Sequence, residues 1–149
     1  MVWLTDFLEK NGFSLEKGVG SLPTAFKAVY GSSRPLIALI AEYDALPEIG
    51  HACGHNIIAA AAVGAGIASK AVVDNCGGAV AVFGTPAEEM TGGKVTMLEA
   101  GAFDGVDVTM VAHPGVRNMV TAEWLACIGL EVEFFGKAGD GLVFADVLI

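Results

Sequence analysis

The chain has 149 residues, 54% hydrophobic and only 17% charged, and its 17 acidic and 8 basic residues give a formal charge of −9. That length suits one domain with its own core, and a mean hydropathy of +0.60 with 20 glycines points to a packed α/β interior, excluding a disordered or fibrous chain. The acidic balance argues against a nucleic-acid partner and suits a protein that holds cations.

In chain order, Val2–Lys10 places Trp3, Leu4, Phe7 and Leu8 on one helical face, and Asn11-Gly12 ends it. Residues 13–23, FSLEKGVGSLP, read as a loop. Thr24–Gly31 reads as a strand closed by the turn residues GSSRP. Pro35–Ala41, PLIALIA, is a continuous apolar run, the pattern of a strand buried on both faces in the parallel part of a sheet. Such strands present functional groups at their carboxyl ends, where Glu42 and Asp44 fall.

Asn56 can cap a helix running to about Val73, rich in small residues that pack closely on a sheet. Its apolar run, Ile57–Ala68, is too short to span a bilayer, so no membrane role is expected. Gly77–Phe83 is a second buried strand and leads into GTPAEEMTGGK. A short helix over Val95–Ala100 and a third buried strand over Val106–Ala112 follow, the latter delivering His113-Pro114-Gly115. From Asn118 the pattern alternates, with Glu131 and Glu133 ahead of Phe134-Phe135, as in an antiparallel edge or the start of a second module. The organisation predicted is 1–117 and 118–149.

Three cysteines, Cys53, Cys76 and Cys127, are odd in number and widely spaced, with no signal peptide before them, so a reducing, cytoplasmic setting is expected. Cys76 and Cys127 lie among apolar residues and read as structural.

The chemistry concentrates in Ala41–Asn56, AEYDALPEIGHACGHN, which packs Glu42, Asp44, Glu48, His51, Cys53 and His55 into sixteen residues. Carboxylate, thiol and imidazole are the donors that zinc and similar ions take. His51, Cys53 and His55 alternate, so an extended segment would turn them to one side. The bland alternative is a polar loop between a buried strand and a buried helix, with Cys53 acting as a small hydrophobe.

Thr85-Pro86-Ala87-Glu88-Glu89 has two readings as well. Thr at N-cap, Pro at N1 and Glu at N3 make a capping box. Against this, Thr91-Gly92-Gly93 is poor helical sequence. Two adjacent carboxylates also suit metal-assisted hydrolysis, which needs an ion to polarise a carbonyl and acidify water, and a free carboxylate to take the proton. His113 alone reads as a structural histidine, but with Cys53, His55 and Glu89 available a ligand role is favoured. Asp44 is either a ligand or the acid that holds a histidine ring. The chain has no G-x-S-x-G or Walker-type loop.

EYDALPEIGHACGHN, then GTPAEE and AHPG, resembles the M20 metallopeptidase family, in the branch acting on N-acyl amino acids, aminobenzoyl-glutamate and related dipeptides. The likeness runs from about Thr5 to about Ala138. It implies a Zn-exopeptidase-like α/β three-layer sandwich with a mixed, mainly parallel sheet, and a smaller lid domain that often mediates homodimers. It further implies two divalent ions, Zn or Mn, held by Cys53, His55, Glu89 and His113. Glu88 would be the general base and Asp44 the supporting acid, and the substrate would be a small amide or dipeptide.

Departures accompany the likeness. Members run to roughly 400 residues and carry a further ligand histidine near the carboxyl terminus. Asp140 stands where a lid histidine is expected, and the usual first helix and strand are missing. The expectation is a partial catalytic domain with slow or no turnover. The alternatives are an inactive metal-binding remnant or an interaction fragment. The low charged fraction fits apolar surface made to be covered, which predicts aggregation.

Overall fold

The computed structural model describes residues 1–89, 91–120, 132–133 and 135. Backbone contacts divide the chain into Met1–Val116 and Arg117–Ile149. Every helix and strand among the described residues lies in the first unit. In order these are α1 (Val2–Lys10), β1 (Ser14–Lys17), a 3₁₀ turn (Val19–Ser21), β2 (Phe26–Gly31), β3 (Leu36–Glu42), α2 (His55–Cys76), β4 (Ala79–Thr85), α3 (Gly93–Glu99) and β5 (Val108–Met110).

The sheet is mixed, in the order β1-β2-β4-β3-β5. β1 with β2 and β2 with β4 are antiparallel, while β4 with β3 and β3 with β5 are parallel. β4 is buried at all seven positions because both its faces are covered. Side chains alternate across a strand, so Val80 and Val82 join Leu8 of α1 and Ala59, Ala62 and Val63 of α2. Ala81 and Phe83 turn to the other face, against Met97 of α3 and Ala38 and Ile40 of β3. Helices on both faces of one sheet make the three layers. Phe83 is fully buried and stacks on Phe103 at 4.7 Å between ring centres, a burial worth roughly 1.5–3 kcal/mol.

This topology positions the site. β3 and β4 are neighbours, with Glu42 opposite Thr85 at their carboxyl ends. The chain leaves β3 toward α2 on one face and leaves β4 toward α3 on the other. Adjacent strands whose exits part in this way open a crevice between their ends, where ligands bind in open α/β sheets.

Several boundaries and one element differ from the sequence reading. The loop expected at 13–23 contains β1, which pairs with β2, and the 3₁₀ turn. β1 has one half-buried residue, Leu15, so its sequence carries no apolar alternation. α2 begins at His55 with Gly54 as N-cap, so Asn56 caps nothing, and the helix continues to Cys76. At 22 residues it is, by length and composition, apolar enough to cross a bilayer, unlike the run 57–68 taken alone. In this structure Ile58, Ala59, Ala62 and Val63 cover the sheet, as in a core helix.

No capping box forms: Thr85 ends β4, Glu88 and Glu89 lie outside any helix, and α3 starts only at Gly93. A side chain at Gly93 would meet the Pro86 carbonyl oxygen at 1.9 Å, so the loop folds back onto the start of α3 only because that residue is glycine. β5 is short and exposed at all three positions, so the third strand is an edge strand and not a buried one. Cys76 is exposed, whereas Cys127, Asp140 and the alternating pattern from Asn118 lie largely outside the described residues.

Candidate metal centre

Asp44 follows β3 by two residues and accepts two hydrogen bonds. One oxygen, Oδ1, lies 2.9 Å from His55 Nδ1, and the other, Oδ2, receives the Glu89 N–H at 3.0 Å. A single carboxylate therefore ties the loop after β3, the start of α2 and the loop after β4 together. Burial pushes the Asp44 carboxyl up, but the Glu89 N–H and His55 outweigh it, and the net direction is below the ordinary carboxylate value. With Nδ1 engaged, His55 turns Nε2 into the crevice, the arrangement by which carboxylates orient ligating histidines. Its side chain is only 4% exposed.

Cys53 stands half-buried in the turn before α2, and His113 lies three residues beyond β5 on the exposed rim. The ligand atoms of Cys53, His55 and His113 all lie within 4.8 Å of one another. The two imidazoles meet edge to face at 5.8 Å. Glu89 borders this trio, with Oε1 3.6 Å from His55 Nε2. That oxygen is buried and has no hydrogen-bond partner. The adjacent Glu89 carboxylate is the largest influence on the Cys53 thiol and raises its pKa, with burial and the charges of Glu42 and Asp44 adding to it.

Glu88 points elsewhere. Its Oε1 accepts the Lys94 N–H at 2.9 Å and its Oε2 lies 2.8 Å from Lys94 Nζ. Ala87, just before it, has φ of +63°, a left-handed conformation that is costly for alanine and sends the two glutamates apart. His51 is exposed and outside the trio, and it does not align with Cys53 and His55 as an extended segment would require, because His55 already belongs to α2.

Two residues absent from the expected site lie within it. Glu42 is 6% exposed, receives a hydrogen bond from Lys94 Nζ, and places Oε2 3.2 Å from His55 Nε2. Glu42 was visible as the acid that ends a buried strand. Lys94 was visible only as the sole cation between Gly84 and Ala100.

No family model matches the chain. The Xaa-Arg dipeptidase of Mus musculus is 40% identical over 134 residues, which is 83% of this chain and 31% of that protein. A p-aminobenzoyl-glutamate hydrolase component of Escherichia coli (strain K12) is 37% identical over 155 aligned positions, 91% of this chain and 32% of that one. Among solved structures, the Bacillus subtilis YXEP protein, described as a dinuclear metal-binding peptidase of the M20 family, superposes with a TM-score of 0.62. It is 28% identical, over 72% of this chain and 34% of that chain. Over most of its length the chain is similar to members of the M20 family. It spans about a third of the length of the curated relatives it matches.

The donor set of this M20-like chain fits divalent ions on its own chemistry. A thiol, two imidazoles and an orphaned buried carboxylate oxygen converge on one crevice. Four carboxyl groups, of Glu42, Asp44, Glu88 and Glu89, gather around the single amine of Lys94, a surplus of acidic groups that suits cations.

The raised Cys53 thiol has a measurable consequence. Below its pKa, an ion must displace the thiol proton, so zinc affinity is expected to rise with pH, about tenfold per unit for each proton released. Chelator competition across neutral pH measures this; an affinity independent of pH in wild type, equal to that of Cys53→Ala, would remove Cys53 from the ligands.

Gly54, between Cys53 and His55 in the M20-type CGH motif, has φ of +80°. An added Cβ would lie 2.9 Å from Pro114 Cγ, next to His113. Gly54→Ala is therefore expected to cost about 1–2 kcal/mol for the backbone alone and to push His113 off the trio. Urea unfolding alongside zinc titration checks both effects; unchanged affinity would show that the Gly54–Pro114 contact does not position His113.

Proposed function

We propose that this chain is the metal-holding part of an M20-type hydrolase that cleaves the amide bond of N-acyl amino acids or dipeptides. The observation that carries the reading is the convergence of Cys53, His55 and His113 beside the unpartnered Oε1 of Glu89. The names of the relatives, a dipeptidase and an aminobenzoyl-glutamate hydrolase, support the substrate class. On this reading residues 1–117 are the catalytic portion and 118–149 open the lid module.

Cys53, His55, Glu89 and His113 hold the ions, zinc or manganese, and a thiol ligand suits a reducing cytoplasmic setting. Bound there, divalent ions supply Lewis acidity toward the amide carbonyl and the attacking water. Asp44 keeps the His55 ring turned so that Nε2 faces the crevice. Glu88 accepts the proton of the attacking water and passes it to the leaving amine, with its oxygens steadied by Lys94. The buried ends of β3 and β4 limit the water that reaches these groups.

A metal-binding role without catalysis is the second reading. It is favoured by the engagement of both Glu88 oxygens with Lys94, which leaves neither free for water in this arrangement. Metal analysis of the purified chain, paired with hydrolysis of N-acyl amino acids and dipeptides in added zinc or manganese, separates the readings. Metal-dependent turnover supports the first, stoichiometric metal without turnover supports the second, and no retained metal overturns both.

A further inference from the structure

We infer that Glu42 is an additional metal-holding carboxylate of this centre and that Lys94 is the residue that aims it. The inference rests on the metal-centre reading above and extends it to two residues outside the Cys53, His55, Glu89 and His113 set.

Glu42 closes β3 with a side chain only 7% exposed. A carboxylate so deeply buried persists only with its oxygens satisfied by charge or hydrogen bonds. One oxygen is satisfied: Oε1 accepts from Lys94 Nζ. The other, Oε2, lies 3.2 Å from His55 Nε2. Because His55 Nδ1 donates to Asp44, a neutral ring leaves Nε2 with a lone pair and no proton. Glu89 Oε1 approaches the same nitrogen at 3.6 Å and also lacks a donor. Three lone-pair atoms from β3, α2 and the loop after β4 thus face one point with no hydrogen among them. A cation at that point satisfies all three. The competing explanation is a doubly protonated His55, with Glu42 serving only as the counterion of Lys94.

Lys94 gives the arrangement its direction. Its ammonium occupies Glu42 Oε1 and Glu88 Oε2, so Glu42 has Oε2 left to offer beside His55. The lysine therefore divides the carboxylates between two groups. Glu88 stays with Lys94, Glu89 stays with Cys53 and His55, and Glu42 spans both.

The test is zinc affinity of the full chain by chelator competition, with thermal unfolding as the check on folding, for wild type, Cys53→Ala, Glu42→Gln, Glu42→Asp and Lys94→Met. Glu42→Gln is expected to keep the fold and weaken zinc by about tenfold or more, in the range that loss of a group supporting a metal ion produces. Should the Gln variant not fold, Glu42→Asp keeps the charge but withdraws it by one methylene, and the same loss is expected. Lys94→Met is expected to weaken zinc, but by less than Glu42→Gln, because Glu42 keeps its charge and loses only the contact that fixes which oxygen it offers; unchanged affinity would remove the aiming role. Zinc lost in Cys53→Ala but retained at wild-type affinity by a folded Glu42 variant would overturn the role of Glu42 and leave the metal centre standing. Equal weakening by Lys94→Met and Glu42→Gln would reduce the pair to a structural salt bridge. A wild-type chain that binds no zinc, or binds it equally after Cys53→Ala, would instead overturn the centre itself.

Discussion

Cys53→Ala combined with His113→Ala is expected to strip this chain of tightly bound metal. The two residues supply two of the three ligand atoms that lie within 4.8 Å of one another, one from the turn before α2 and one from the segment after β5. Loss of a mere supporting partner behind a ligand costs about 10–100-fold in affinity, and loss of two ligands should exceed that. Neither residue belongs to the hydrophobic core, so folding should survive the change. Elemental analysis after gel filtration, with circular dichroism as the control, gives the answer. Unchanged stoichiometry in the folded double variant would mean that the convergence of these side chains holds no ion.

Glu88→Gln should have the opposite profile, with metal retained and hydrolysis lost. Glu88 makes its polar contacts with Lys94 and not with the Cys53, His55 and His113 trio, so its replacement leaves those ligand atoms in place. Gln preserves the shape and can still accept from the Lys94 N–H, but it cannot take a proton at neutral pH. A positioned general base is worth about 10²–10⁴ in rate, and a fall of that size in metal-dependent turnover is expected. If metal and activity fall together, Glu88 and Glu89 have exchanged roles. The outcome for Glu88 also bears on the second reading, since a chain that holds metal and shows no turnover before the substitution has no base to lose.

The parts of the fold legible in advance are those where burial is nearly complete. PLIALIA and GGAVAVF supply most of β3 and β4, shifted by one or two residues, because a strand covered on both faces must be largely apolar, and that pattern survives without knowledge of neighbours. β1 was missed for the converse reason. Its four residues are mostly exposed, and its hydrogen bonds go to β2, a partner that leaves no periodic trace in SLEK. The Thr85 capping box was misleading because its local signal competes with the β4 ladder and with an alanine in left-handed conformation two residues on. The N-cap of α2 moved from Asn56 to Gly54, which adopts a left-handed conformation and packs beside Pro114, a residue sixty positions away.

For the site, the residues alone settle donor type and location. Buried strands lead at their carboxyl ends into Glu42 and Asp44 and into the Glu88-Glu89 pair, and a short run supplies Cys53 and His55, because a parallel sheet exposes its carboxyl ends to ligand. Which donors meet was decided in three dimensions. Glu88 and Glu89 are chemically identical neighbours, and no spacing rule assigns one to metal and one to a proton. Their different surroundings follow from φ of +63° at Ala87, from the Asp44 carboxylate that fixes the Glu89 N–H, and from Lys94, which reaches back to Glu88 and across 52 residues to Glu42. Electrostatic contacts of that kind depend on distances of a few ångströms between segments remote in the chain.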